Sequence, residues 1–89
     1  MDTSETIQTL IELLRQQGIE VRYEKGNFRG GYCKVGAQAF VILNRRHPPE
    51  IHLSLLAQAL AHHVPINKLY LRPALRSYIE SFCTHGTAS

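Results

Sequence analysis

Residues 41–63 read VILNRRHPPEIHLSLLAQALAHH, and the passage from strand to helix inside them decides the fold. Phe40 to Leu43 is an unbroken apolar run with β-branched Val41 and Ile42, which predicts a strand buried on both faces. Asn44 to His47 leave that strand. Pro48 and Pro49 suit the first turn of a helix, where missing N–H groups cost little. Glu50 complements the positive end of the helix dipole. From Ile51 to Val64 apolar residues fall on nearly every side: Ile51, Leu53, Leu55, Leu56, Ala57, Ala59, Leu60 and Ala61. A helix of that kind is central to a core or shared with a partner. His62 and His63 occupy its last turn, and Pro65 stops it.

Upstream, Asp2 with Glu5 fits a capping pair. Ile7, Leu10, Ile11 and Leu14 recur at the spacing of one buried helical face, and Leu13 widens the stripe. Gly18 supplies the left-handed residue that ends a helix, so residues 3–17 read as amphipathic helix. Ile19, Val21 and Tyr23 alternate with Glu20, Arg22 and Glu24, the pattern of a strand with one wet face. KGNFRGG, residues 25–31, is a turn or loop. Tyr32 to Val35 start a second strand, and Gly36 to Gln38 form a hairpin turn. Three successive short strands predict an antiparallel meander.

Downstream, residues 65–72 connect to a third helix opened by Pro73, with Leu75, Tyr78, Ile79 and Phe82 on its buried face. The tail THGTAS is expected to fray from about residue 84. The expected architecture is α+β, in the order α-β-β-β-α-α. It has a small antiparallel three-stranded sheet with helices packed on one face, and all of residues 1–89 form one domain.

Eighty-nine residues hold one domain at most. A chain of that size buries only roughly 60 to 65% of its unfolded surface, a thin margin. With 44% hydrophobic and 19% charged residues it is ordinary globular protein rather than disorder. Cys33 and Cys83 stand fifty residues apart with no CxxC, so neither a zinc ribbon nor a dithiol redox site is spelled. The start MDTSETIQTL carries two acids and no basic apolar stretch, unlike a secretory signal. Both cysteines are read as reduced and the protein as cytoplasmic. No apolar run approaches the ~20 residues of a membrane span.

The net charge of +3 is unevenly placed. Residues 1–20 carry one base and four acids, whereas residues 22–46 carry six bases against Glu24 alone. Two readings stay open for Arg22, Lys25, Arg29, Lys34, Arg45 and Arg46. One is a solvated sheet edge that resists edge-to-edge pairing. The other is an anion or nucleic-acid surface. KGNFRGGYCK, residues 25–34, interleaves its bases with Phe28 and Tyr32, the residue types that stack on single-stranded bases. Its glycines spell neither GxGxxG nor a P-loop. Arg72 and Arg76, one helical turn apart, extend a basic surface unless Arg76 pairs with Glu80.

Gln58, Ala59 and His62 occupy the places where a zincin-type metallopeptidase helix carries histidine, glutamate and histidine. The element order over roughly residues 5–64 resembles a minimal zincin core. Carried over by position, Gln58 stands at the first ligand, Ala59 at the general base and His62 at the second ligand. The resemblance implies a scaffold that has lost peptidase chemistry, with His62 and Gln58 as candidate ligands for zinc. Gln is a poor zinc ligand beside imidazole, and Ala accepts no proton. An Ala-rich helix end with histidines at its negative pole accounts for the same residues.

Other constellations are incomplete. His52 and His63 share a helical face but lie ~16 Å apart along the axis, and adjacent His62 and His63 diverge by about 100°. Cys33 beside Lys34 suits a buried core thiol as well as an activated one. GxSxG is absent, and four of the seven carboxylates lie in the first twenty residues. No catalytic residue and no cofactor site are assigned. The first expectation is therefore a non-catalytic protein acting through protein–protein association, most simply as a homodimer. The alternatives are a zincin-like metal-binding or hydrolytic remnant and weak nucleic-acid binding by the basic middle third.

Overall fold

The computed structural model describes residues 2–87, with side chains described as far as Phe82. The elements run α1 (Thr3–Gln16), β1 (Ile19–Glu24), β2 (Gly31–Val35), β3 (Gln38–Asn44), α2 (Pro49–His63), a short 3-10 turn (Ile66–Lys68) and α3 (Pro73–Thr87). The class is α+β in the expected order. Met1, Ala88 and Ser89, and the side chains from Cys83 onward, lie outside the described residues, and with them the question of Cys83; α3 includes the backbone of residues 84–87 of the tail.

α1 begins where Asp2 Oδ1 accepts a hydrogen bond from the Glu5 amide at 2.8 Å, satisfying one of the free donors of a helix start. It ends at Gly18, whose φ of +80° is the left-handed conformation glycine adopts without strain. Ile7, Leu10, Ile11 and Leu14 are its buried face.

The sheet departs from an antiparallel meander. Its order is β1-β3-β2, with β3 in the centre, parallel to β1 and antiparallel to β2. The physical reason lies in the strands' composition. β3 is the most apolar strand and takes the place where both edges are paired. The charge-bearing β1 and β2 take the edges, where polar side chains discourage further pairing. Residues 25–30 carry the chain past the end of β3, so β2 forms on its far side. Gly36, at φ +61°, then turns β2 back into β3.

Two features hold this crossing. Asn44, 3% exposed, donates from Nδ2 to the carbonyls of Gly26 (2.9 Å) and Phe28 (2.8 Å), and its Oδ1 accepts from the Arg46 amide at 3.0 Å. Gly30 passes so close to β3 that a Cβ there would lie 2.4 Å from the Ile42 carbonyl oxygen.

α2 lies at the centre of the helical layer, against α1, α3, β3 and β2. His52, Leu55, Leu56, Ala57, Ala59 and Leu60 are buried along it. Most of its apolar residues are thus covered within the chain, while Ile51 stays 40% exposed and Leu53 and Ala61 are partly buried. Pro48 is the N-cap residue and Pro49 the first helical residue. Leu75 and Ile79 of α3 complete the core, and Arg76 donates to the Leu69 carbonyl at 2.8 Å while lying 4.0 Å from Glu80.

Candidate functional site

Two places carry the residues singled out by sequence, and a third emerges only with the fold. The first is a hollow of about 110 Å³ between β2 and the last turns of α2, lined by Gly31, Tyr32, Leu55, Gln58, Ala59, His62 and His63. Helical periodicity brings Gln58, Ala59 and His62 to this one hollow, as their spacing implies. The His63 ring stacks on Tyr32 with centroids 3.5 Å apart and an 11° tilt, and the His62 and His63 centroids are 6.4 Å apart. Burial, and secondarily the charge of His62, lower the His63 pKa below its ordinary value. Ala59 presents a methyl group, 2% exposed, so the position of a general base holds no acceptor.

Two of the other histidines, His52 and His47, do not line the hollow. His52 is buried ten residues upstream of His62 on α2, where its Nε2 donates to the Asn44 carbonyl at 2.7 Å and its ring meets Tyr23 edge-on at 5.4 Å. His47 Nδ1 is buried without a hydrogen-bond partner. Among the described residues no three His, Cys, Asp or Glu side chains are grouped to hold a metal ion. Cys33 has its neighbour Tyr32 on the helical side and itself points to the opposite face of the sheet, so the sheet separates it from the histidines of α2.

The second place is the basic region, which the fold divides. Arg22 lies on the face of the sheet away from the helices, paired with Glu20 at 2.9 Å and with its guanidinium 4.8 Å from the Phe40 ring centroid. Lys34 lies near the hairpin end of β2, opposite Ala39. Lys25 and Arg29, in the loop after β1, and Arg45 and Arg46, in the turn after β3, instead lie at the other end of the sheet. The loop that bears the first two is tied by Asn44 to the turn that bears the others.

The third place is the outer face of the sheet, which sequence reasoning missed. Residues that alternate with buried Val41 and Leu43 point there: Phe40 and Ile42 from β3, Cys33 and Val35 from β2, and Glu20, Arg22 and Glu24 from β1. Phe40, Ile42 and Cys33 are only half-buried, and Val35 is 68% exposed. The expectation that the Phe40–Leu43 run is buried on both faces is therefore met on one side only. The available signal was a count of layers: every helix follows the sheet's single helical side, leaving none for the other.

No protein-family model matches this chain, and no curated protein or solved structure matches it. Among the described residues, no helix is long and apolar enough to cross a membrane.

Proposed function

We propose that this chain is a non-catalytic cytoplasmic protein that works by association through the outer face of its sheet, and that the simplest occupant is a second copy of itself. The observation that carries the reading is that β3 is apolar on both faces, Val41 and Leu43 inward and Phe40 and Ile42 outward, while helices lie on the inward side only and the outward pair is left partly buried beside exposed Val35. Apolar surface removed from water contributes roughly 25 cal/mol per Å². That is the driving force a partner would recover.

Charge favours a like partner. Glu20, Arg22 and Glu24 alternate in sign along β1 beside the apolar strip. Two such rows running oppositely and offset by one pair set each Arg22 against a glutamate of the other copy. Magnitude keeps the association weak. Strands about 4.8 Å apart and rising about 3.3 Å per residue give three strands a footprint of only a few hundred Å². That is well below the roughly 800 Å² per partner of a stable interface. Sedimentation over a wide concentration range tests this. A shift toward dimer at high concentration, abolished by Phe40→Glu in a chain that still folds, is expected. An unchanging monomer removes the reading.

The zincin-like reading of His62 and Gln58 draws support from their shared hollow alone. Zinc raising the melting temperature of untagged protein, an effect lost in His62→Ala, would favour it by linkage of binding to folding. The absence of any shift would end it.

A further inference from the structure

Lys25, Arg29, Arg45 and Arg46 share one end of the sheet with an exposed aromatic ring, and the local architecture holds that constellation in place. Phe28, at the tip of the loop, is 37% exposed. A Cβ on Gly26 would lie 2.8 Å from two carbons of its ring, so the ring rests against bare glycine backbone. The loop beneath it is anchored by the two Asn44 hydrogen bonds and by the close passage of Gly30 over β3. On the adjoining turn, the Arg45 amide donates to the Glu24 carbonyl at 2.8 Å and the Arg46 amide to Asn44 Oδ1. These backbone bonds fix where the two guanidinium groups start, while both side chains stay exposed. Arg45 lies 5.8 Å from the centroid of Tyr23. Among the described residues none of the four cations forms an ion pair. Arg22, by contrast, is neutralised by Glu20.

We propose that this end of the molecule is a binding site for single-stranded nucleic acid, with phosphates on Lys25, Arg29, Arg45 and Arg46 and a base stacked on Phe28. An aromatic face beside unpaired cations suits a strand whose bases are unstacked, because stacking accepts any base while the cations follow the backbone. A duplex fits less well. The site is a short loop and a turn, with no helix or ribbon to enter a major groove. An acidic protein segment satisfies the cations but leaves the ring unused, which distinguishes it experimentally. This site is separate from the outer sheet face, so its test does not depend on self-association.

Fluorescence anisotropy with a labelled oligothymidylate of about fifteen nucleotides, begun at about 20 mM salt, provides the test. The logarithm of affinity is expected to fall against the logarithm of salt with a slope near −3, from about −0.7 per neutralised phosphate. Arg29→Ala with Arg46→Ala flattens that slope by about 1.4. Phe28→Ala weakens binding roughly 5- to 150-fold, and Phe28→Trp restores it. Circular dichroism confirms that each variant folds, and the Phe40→Glu chain binds as the parent does. No anisotropy change at the lowest salt overturns the proposal. Binding that polyglutamate displaces as readily as nucleic acid, with Phe28→Ala silent, also overturns it, in favour of an acidic protein partner.

Discussion

The two sides of the β-sheet carry comparable apolar side chains and have opposite fates. On the helical side Val41 and Leu43 are fully buried beneath α2. On the outer side Phe40 and Ile42, from the same strand, are only partly buried, with Arg22 reaching over Phe40 in place of a helical layer. The difference teaches that residue type alone does not make a core. A strand's outer face becomes core only where the chain, or another chain, supplies something to lie on it.

That contrast can be broken most forcefully by truncation on each side. Leu56 is fully buried at the centre of the helical layer, so Leu56→Ala is expected to cost about 2 to 5 kcal/mol in urea unfolding. Phe40→Ala, measured in dilute solution, is expected to cost less than Leu56→Ala despite removing a larger side chain, because Phe40 is only partly buried and leaves no enclosed cavity. Equal costs for the two would mean that the outer face is already packed.

Asn44 tests what holds the crossing from β1 to β2. Its side chain satisfies three backbone groups at the crossing. Asn44→Ala is expected to cost roughly 2 to 4 kcal/mol, since removing it leaves part-buried carbonyls without donors. Hydrogen exchange in residues 25–30 should rise with it. A loop that stays protected in that variant would place the anchoring elsewhere.

Two glycines sharpen the same point at smaller scale. Gly18 and Gly30 both have φ near +80°, at +80° and +87°, but a Cβ meets nothing within 4 Å at Gly18 and the Ile42 carbonyl oxygen at Gly30. Gly18→Ala should therefore cost about 1 kcal/mol for conformation alone, and Gly30→Ala distinctly more. Thermal unfolding of both variants separates backbone strain from steric contact.

The smallest effect concerns pH. Because the folded-state pKa of His63 lies below its ordinary 6.5, the unfolded chain takes up the proton first as pH falls. Stability is then lost through the window that opens at about 6.5 and closes at the lower folded value. The loss is slight, since His63 is exposed. It should diminish in His63→Gln, as followed by melting temperature between neutral and mildly acidic pH. A steeper loss in that variant would reverse the sign.

The helices were legible because their apolar spacing is local. α1, α2 and α3 follow from Ile7 to Leu14, Ile51 to Leu60 and Leu75 to Phe82, with Gly18, Pro49 and Pro65 as punctuation. Strand pairing was not legible, because it joins residues far apart in sequence. The crossing that puts β3 between β1 and β2 is held by Asn44 reaching Gly26 and Phe28, contacts no periodicity announces. The grouping of Gln58, Ala59 and His62 was readable from helical geometry. The splitting of six cations into a cluster of four, with Arg22 and Lys34 elsewhere, emerged only with the strand order.

The outer face of the sheet is tested most directly by sedimentation equilibrium of the parent chain and Phe40→Glu, each up to millimolar concentration. Reversible dimer formation by the parent, with a monomeric and folded variant, is the expected result. A parent that stays monomeric throughout, or a variant that dimerises equally well, would contradict the account.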